Sequence, residues 1–452
     1  MYFLTLLLHY TIGYGILKRL GFGERCWEII GLAFPLGLGS ATLLLFLLEI
    51  FSIPLTFAST TLLSSVFLML LFLPEILRIH QKKTWKIKPP FASMKHISLT
   101  EWLMLGIIAA LFFISAWRCF YFPVKTYDSI VGIDLVAKYA VEDEQFKSRI
   151  FSELGTELST QPYYAPFAAM SQILYLLPGL RFGKIWLSVM FLSLLIIFYG
   201  TLRKDIHPVL AGALTLALIS IPEMYAYTYL LQTDFANAVF VCISLIYLYH
   251  FIRKGDVKYF WVSALLFGLA TWTRSETISF AGLTSLLLLV FLLRQKRARY
   301  YLFPIIFFGI NFMLFGMWNL YFLPIELGYS PESYFKVGFW DFERLDRLWG
   351  GMIEILTSSR HWGYIPYIFL AVCAANLILF RDQNNLFILL WIVFLFLGFV
   401  VLLYHLQLHL DANIKFTFRR GTFKLWPMMI FYIGTSELLH RFSNRITEWE
   451  KK

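Results

Sequence analysis

Long uncharged apolar runs recur along the whole chain, and they constrain the fold more than any other feature. Residues 185–202 and 385–404, for example, contain no Asp, Glu, Lys or Arg. Each run approaches the roughly 20 apolar residues that an α-helix needs to cross a bilayer core, whereas strands of a transmembrane barrel alternate in polarity. Since 59% of the 452 residues are hydrophobic and only 15% are charged, we predict an all-α polytopic membrane protein.

Hydropathy predicts about thirteen transmembrane helices. The first apolar run lacks the basic start and the small-residue cleavage site of a signal peptide, so we interpret it as a retained helix. The predicted spans lie near residues 2–17, 27–50, 55–79, 100–121, 185–202, 207–229, 235–252, 259–273, 277–293, 301–322, 362–380, 385–404 and 422–440.

Basic residues favour one orientation of these spans. The net charge of +11 does not indicate nucleic-acid binding, because Lys and Arg concentrate in short loops, and basic short loops face the cytoplasm. This rule predicts an N-terminus outside the membrane and a cytoplasmic C-terminus. The basic segments lie near residues 18–25, 78–95, 203–204, 253–258, 294–299 and 381, and in the tail 441–452.

The orientation also requires that the apolar segment 163–177 does not span. This segment has about fifteen residues, with Pro162 and Pro166 near its start and Pro178 after its end. It is short for a helix that crosses the core. We predict that it forms a helix that lies in the outer interface or re-enters from it.

Two acidic residues, Asp128 and Asp234, lie next to spans on the predicted outer face. A carboxylate at either position is also a favourable helix cap, so each signal is ambiguous when taken alone. If the two converge on one cavity, they could hold a divalent cation or divide the roles of general base and positioning residue. Asp134 differs, because it stands four residues before Lys138, the spacing of a helical ion pair.

Arg274 and Glu276 lie between two short spans. Charged residues at such a position are unfavourable unless they are paired or solvated. A buried structural ion pair and a ligand-binding role therefore both stay open.

Arg419 and Arg420, with Lys415 and Lys424 nearby, stand at the predicted outer start of the last span. This is the side that the orientation rule disfavours for basic residues. Guanidinium groups bind phosphate through paired hydrogen bonds, so a lipid phosphate is a natural partner. Anchoring to lipid head groups is the alternative.

A metal site is less well supported than a phosphate site. His405 and His409 have the i, i+4 spacing that suits a metal, but two histidines without a third placed ligand are a weak signal. With Asp128 and Asp234 they complete the candidate ligands of a divalent cation. The four cysteines form no CxxC pair, which argues against a zinc ribbon or a disulfide framework.

Several segments, taken in order, resemble the GT-C superfamily of integral-membrane glycosyltransferases. The early Asp loop at Asp128 is followed by a helix containing Ala-Lys-Tyr-Ala. The later segments that carry the resemblance are QPYYAPFAAMSQILYLLPG, TDFANAVF, GLATWTRSE and FRRGTFKLWPMMIFY. This superfamily includes protein O-mannosyltransferases and aminoarabinose transferases. The likeness covers roughly residues 100–440. It implies a GT-C-like catalytic core at 100–452, preceded by N-terminal transmembrane helices at 1–99.

The resemblance implies a donor sugar linked to a polyprenyl phosphate or pyrophosphate, and a glycan, lipid or protein acceptor. It implies that Asp128 takes the proton of the acceptor hydroxyl in an inverting transfer at the outer face, and that Asp234 is the second acidic residue of the family. It implies that Arg419 or Arg420 holds the departing phosphate. In the segment Thr233-Asp234-Phe235, no second carboxylate follows Asp234 two residues later in the chain, which weakens the case for a metal. We expect an integral membrane protein of the bacterial inner membrane.

Two other classes of protein compete with this interpretation. A transporter or a flippase of lipid-linked saccharides would place charges at the bilayer midplane and often contains paired repeats. Here the carboxylates cluster at span ends, and the sequence shows no internal repeat. A polysaccharide polymerase or ligase would share the outer loops and arginines, but not the early Asp loop.

Overall fold

Helices account for all regular secondary structure in the part of the chain that the structure describes. This computed structural model describes residues 2–22, 26–80, 98–154, 161–329, 342–380, 385–410 and 414–450. Its α-helices are α1 (Tyr2–Arg19), α2 (Cys26–Ile50), α3 (Phe57–His80), α4 (Leu99–Tyr121), α5 (Asp134–Glu142), α6 (Phe167–Leu176), α7 (Ile185–Asp205), α8 (Pro208–Ile219), α9 (Pro222–Ala226), α10 (Thr233–Lys254), α11 (Val257–Thr273), α12 (Thr277–Arg294), α13 (Phe303–Gly316), α14 (Phe342–Leu356), α15 (Ser359–Trp362), α16 (Ile365–Ala374), α17 (Leu386–Leu410), α18 (Ile414–Gly421), α19 (Leu425–Gly434) and α20 (Glu437–Glu450). The prediction of an all-α polytopic membrane protein is confirmed.

Eight helical segments in the described residues are long and apolar enough to cross a membrane. They are α2, α3, α4, α7, α10, α12, α17, and α13 together with its flanking turns from Ala298 to Glu326. The other five predicted spans also contain helices, but these are shorter or do not meet the same criterion. The predicted span 207–229, for example, is interrupted where α8 ends at Ile219 and Pro222 begins α9. Proline lacks the N–H that a continuous helix needs at that position.

The centre of the bundle is α10, whose residues from Thr233 to Ile252 are all buried. A helix that is apolar on every side belongs inside a protein. Its neighbours in the bundle include α7, α11 and the turn before α19. The first turn of α10 carries Asp234, so this carboxylate lies in the protein interior at one end of the central helix.

The segment predicted not to span forms α6, a helix of ten residues. It rises only about 15 Å, too little to cross the core. The residues from Phe167 to Tyr175 are all buried, against α2, α5 and α11 among others. The helix is therefore enclosed by protein and does not lie on the lipid-facing surface, whereas the re-entrant alternative from the sequence stays a prediction.

The two ends of the bundle carry different sets of charges. At one end, called here the Lys204 end, Lys204 pairs with Glu28 and Arg203 pairs with Glu101. This end collects the loops that the sequence predicts to be cytoplasmic. At the opposite end, called the Asp128 end, lie the loop before α5 and the starts of α10 and α12.

The N-terminal helices pack closely onto the rest of the bundle. At the crossing of α1 and α2, a Cβ on Gly13 or Gly37 would collide with the facing backbone, so only glycine fits there. At the Asp128 end, Glu49 of α2 accepts hydrogen bonds from the backbone N–H groups of Phe146 and Lys147, at 2.6 and 2.8 Å. Helix α2 thereby holds the chain that follows α5.

Candidate active site

Asp128 lies in a short loop between α4 and a π-helical turn, Ser129–Ile133, that leads into α5. Its backbone is helical (φ −56°, ψ −25°), and its side chain makes no capping hydrogen bond. Instead, Oδ2 of Asp128 accepts a hydrogen bond from Nη1 of Arg420. The loop is fixed because the hydroxyls of Thr126 and Ser129 both donate to the carbonyl oxygen of Leu231. The capping alternative for Asp128 is therefore wrong.

Arg420, at the end of α18, contacts three groups at once. Its Nη1 donates to Asp128 and, at 2.8 Å, to Oε1 of Gln232. Its Nε lies 3.8 Å from Oδ2 of Asp234. The side chain is 16% exposed, so this guanidinium joins two acidic segments that are 106 residues apart in the sequence while it keeps some access to the outside.

Asp234 is the most deeply buried carboxylate of the group, with 2% of its side chain exposed. It stands in the first turn of α10, where the helix dipole favours a negative charge. Its Oδ1 accepts a hydrogen bond from Nη1 of Arg274, whose Nε pairs with Glu276. The Arg274–Glu276 ion pair, one of the two alternatives that the sequence leaves open, is present, and through Asp234 it is also linked to Arg420.

The charges of these groups support one another. Burial opposes the charged form of Arg274, but Asp234 and Glu276 outweigh it and raise the pKa of Arg274. Burial likewise opposes the charge of Arg420, and Asp234 and Asp128 again prevail, so the pKa of Arg420 is raised. Both guanidinium groups therefore stay charged at any physiological pH.

Tyr164, from the loop before α6, faces the same group. Desolvation and then the negative charge of Asp128 raise its pKa to about 12. The charges of Arg274, Arg420 and Asp234 also act on its hydroxyl. Tyr164 is therefore a protonated phenol that can donate a hydrogen bond at this site.

A further cation, Lys424, is buried just beyond Arg420. It is 2% exposed, and its ammonium lies 5.6 Å from the ring centre of Phe280 and 5.3 Å from that of Phe399, within cation–π range. The group now contains the cations Arg274, Arg420 and Lys424. These balance the three carboxylates Asp128, Asp234 and Glu276, so an anionic ligand would shift an otherwise even distribution of charge.

Arg419 takes a different direction from its neighbour Arg420. Its Nε lies 3.0 Å from Oε1 of Glu223, at the start of α9. Nδ1 of His361, in α15, lies 3.8 Å from the other oxygen of Glu223. Neither Glu223 nor His361 was a candidate from the sequence. Glu223 was missed because it falls inside the predicted span 207–229. The sole signal was the Pro222-Glu223 pair, which interrupts that apolar run.

Of the remaining predicted residues, Asp134 differs from the prediction, and three others have side chains that the structure does not describe. Asp134 pairs with Lys138 at 2.7 Å, as the spacing predicts, but it is buried and also accepts from Gln172 at 3.0 Å, so it is not a surface pair. The side chains of Lys415, His405 and His409 are not among those that the structure describes, so these predictions fall outside the described part of the protein.

The arrangement does not suit a resident metal ion. Asp128 and Asp234 both face guanidinium groups, and a cation between them would meet Arg420 first. Within the described ranges no group of three His, Cys, Asp or Glu side chains could hold a metal. We therefore derive no chemical step through a metal.

Comparison with known families gives a partial match. Residues 170–322 match the model of the dolichyl-phosphate-mannose-protein mannosyltransferase family. This match confirms the resemblance to the GT-C superfamily. At this coarse level it supports an integral membrane glycosyltransferase. No curated protein and no solved structure matches the chain significantly.

The matched segment of this GT-C-like chain contains part of the candidate site. It runs from α6 to the turn after α13, and it includes Asp234, Arg274, Glu276 and Glu223. Asp128 and Arg420 lie outside it, on either side. The contacts between Arg420 and both Asp128 and Asp234 thus connect the matched segment to residues that the family match does not reach.

Proposed function

We propose that this protein transfers a sugar from a polyprenyl-phosphate-linked donor to an acceptor hydroxyl at the outer face of the membrane, with inversion at the anomeric carbon. The observation that carries the proposal is the position of Arg420, between the loop carboxylate Asp128 and the buried carboxylate Asp234. A phosphate-binding cation beside a candidate base is the arrangement that such a transfer needs.

Arg420 is the residue that would bind the donor phosphate. A guanidinium binds phosphate oxygens in paired, charge-assisted hydrogen bonds. A donor phosphate would compete with Asp128 for Nη1 of Arg420, while Arg274 and Lys424 would contribute positive charge from deeper in the group. Arg419 is the weaker candidate, because its Nε already faces Glu223.

Asp128 would act as the general base. When the donor phosphate takes over Arg420, the carboxylate of Asp128 is released to accept a proton. The acceptor oxygen then forms a bond to the anomeric carbon and gives its proton to Asp128, while the bond from that carbon to the phosphate oxygen breaks. The departing polyprenyl phosphate keeps the electron pair, and its charge is stabilised by Arg420.

The same reasoning extends to organisation and location. We propose a core of residues 100–452 that carries the reaction, preceded by the helices of residues 1–99. We place the Lys204 end in the cytoplasm of a bacterial cell and the Asp128 end outside the inner membrane, because basic short loops face the cytoplasm. The C-terminus would then be cytoplasmic.

The competing classes are a transporter or flippase and a polysaccharide polymerase or ligase. A transporter would be expected to hold its charges near the bilayer midplane, at the interface of two repeats. The carboxylates and arginines of this group lie instead at helix ends, which favours chemistry at the membrane surface. The match to mannosyltransferases favours a glycosyltransferase over a flippase.

The Asp128→Asn variant tests the proposal. The protein would be reconstituted in nanodiscs with a panel of radiolabelled polyprenyl-phosphate sugars, and binding and transfer would be measured separately. We expect Asp128→Asn to bind the donor at least as tightly as wild type, because the carboxylate that competes for Arg420 is gone, and to transfer the sugar about 10²–10⁴-fold more slowly, the usual contribution of general base catalysis. Transfer at the wild-type rate would exclude Asp128 as the base. In closed proteoliposomes, movement of an intact donor across the membrane without transfer would favour the flippase.

A further inference from the structure

A groove on the outward face of α4 is separate from the candidate active site. It is an open groove with a volume of about 650 Å³, within the roughly 300–1,000 Å³ that small-molecule sites occupy. It contains none of the charged residues of the candidate active site. The groove is lined by Phe112, Phe113, Ala116, Trp117, Phe120, Tyr121 and Arg181.

The walls of the groove are aromatic and open to the surroundings. Trp117 is 61% exposed and Tyr121 is 69% exposed, and their ring centres lie 5.4 Å apart. Both stand in the last turns of α4, near the Asp128 end. Trp and Tyr are enriched at the level of lipid head groups, where one side of the ring is apolar and the other polar. The groove therefore has the chemistry of a surface that acyl chains contact.

Among the described residues that line the groove, Arg181 is the one cation, and its loop holds it in a defined place. Gly179 and Gly183, on either side, adopt positive φ values of 91° and 62°, which favour glycine. The carbonyl oxygen of Phe182 accepts a hydrogen bond from the buried Gln172 at 2.5 Å. The Arg181 guanidinium lies 5.1 Å from the Phe182 ring centre. This is a built position for a positive charge at the polar end of an apolar groove.

Arg181 has no carboxylate partner among the residues that the structure describes. An exposed guanidinium beside an apolar groove is complementary to a lipid phosphate. Arg420, by contrast, is already shared between Asp128 and Asp234. The two arginines therefore present different binding surfaces, one free at the periphery and one inside a charge network.

We propose that this groove binds a phospholipid with an anionic head group, with an acyl chain along α4 and the phosphate at Arg181. The inference does not depend on the proposed transferase activity. A phospholipid fits better than the polyprenyl phosphate donor, because none of the residues around Arg420 lines the groove. A second copy of the chain fits less well, because the groove combines lipid-facing rings with an unpaired cation.

Fluorescence quenching at Trp117 tests the proposal. The protein would be placed in nanodiscs that contain phosphatidylglycerol or phosphatidylcholine with identical brominated acyl chains, and the Trp117 signal would be obtained by difference from Trp117→Phe. We expect phosphatidylglycerol to be enriched about fivefold at Trp117, a preference of the size that one basic residue produces near anionic lipid. Arg181→Gln should abolish that preference.

Arg299→Gln is the matched control, because Arg299 is also exposed and stacks on the next residue, Tyr300, at 4.5 Å. It does not line the groove, so its variant should keep the preference. Equal quenching by the two lipids, or a preference that survives Arg181→Gln, would overturn the proposal. Displacement of the brominated lipid by an equimolar polyprenyl phosphate would overturn it too, since it would assign the groove to the donor. Crosslinking between two copies through the groove would assign it to an oligomer interface instead.

Discussion

The two ends of the bundle use the same chemical groups in different ways. At the Lys204 end, Lys204 pairs with Glu28, and Arg203 lies 2.6 Å from Glu101. These cations each serve one carboxylate, and each pair joins the end of α7 to the start of another helix. At the Asp128 end, Arg420 is shared between two carboxylates and an amide. A pair of the first kind fastens helices together, whereas a shared guanidinium can change partners.

The two ends differ because the carboxylates that remain when a cation is withdrawn differ in their exposure to solvent. Glu101 is 3% exposed, and besides Arg203 it accepts a hydrogen bond from Tyr199. Removing its cation would leave a buried charge, which is strongly destabilising. At the Asp128 end, a phosphate that bound Arg420 would leave Asp128 at a surface where it is still 15% exposed. Partner exchange therefore costs less at this end.

Among the variants that test this comparison of the two ends, Arg420→Gln should have the largest effect. We expect it to lower kcat by about 10²–10³-fold, as the loss of one donor to a developing negative charge does, and to weaken donor binding. Arg420→Lys should recover part of the affinity, since it keeps the charge but not the planar fork. Donor affinity and single-turnover rates in nanodiscs are the measurements.

Arg203→Gln is the control for this variant at the Lys204 end. It breaks an Arg–Glu pair whose carboxylate is more buried than Asp128, 3% against 15% exposed, and it should lower the melting temperature while donor affinity stays at the wild-type value. If Arg203→Gln weakened donor binding as much as Arg420→Gln, the proposed contrast between the two ends would fail.

The next effect concerns stability rather than catalysis. Arg274→Gln removes the hydrogen-bonded partner of the buried Asp234, and we expect it to destabilise the protein by about 1–3 kcal/mol, less than for a fully unpaired buried charge because Arg420 stays 3.8 Å from Asp234. The double variant Arg274→Gln/Asp234→Asn should recover part of this loss, because the carboxylate charge that lost its partner is gone. Thermal unfolding in detergent measures both. A double variant less stable than the single one would show that Asp234 has another stabilising role.

These contrasts also show how much of the fold the sequence can predict. Runs such as α7 and α10 are predictable because about 20 apolar residues have no other stable arrangement in a membrane. The break before α9 is missed because hydropathy averages over a window in which Pro222 and Glu223 count little. The burial of α6 is missed for another reason: its neighbours are α2, α5 and α11, and those contacts depend on tertiary packing.

The candidate site divides in the same way. Asp128, Asp234, Arg274 and Arg420 are predictable as residues of interest, because charges at span ends on one face are rare and unfavourable without a partner. The choice between Arg419 and Arg420 is not predictable, because adjacent residues on a helix point about 100° apart. Only the fold determines that Arg419 faces Glu223 while Arg420 faces Asp128 and Asp234.

The Glu223→Gln variant tests whether Arg419 forms a structural ion pair or belongs to the phosphate site. Although it lies at the Asp128 end, Arg419 pairs with one carboxylate, Glu223, as Arg203 and Lys204 each do at the Lys204 end. We therefore expect Glu223→Gln to lower stability by less than about 1 kcal/mol, as partly exposed pairs do, and to leave donor affinity unchanged. A large loss of donor affinity in Glu223→Gln, matched by Arg419→Gln, would extend the phosphate site to both arginines.

The smallest expected effect is a pH dependence at His361, which faces Glu223, Arg419 and Arg360. Burial and then Arg419 lower the pKa of His361 below its ordinary value of 6.5, against the opposing pull of Glu223. His361 therefore takes up a proton near pH 6.5 in the unfolded chain but stays neutral there in the folded protein. The protein loses stability as the pH falls below 6.5 towards the pKa of His361 in the folded state.

His361→Asn removes this contribution and should show a smaller fall in melting temperature between pH 7.5 and 5.5 than wild type. Glu223→Gln should steepen the fall, because the group that favours protonated His361 loses its charge. The same fall in wild type and His361→Asn would mean that other groups dominate the acid sensitivity of the Asp128 end.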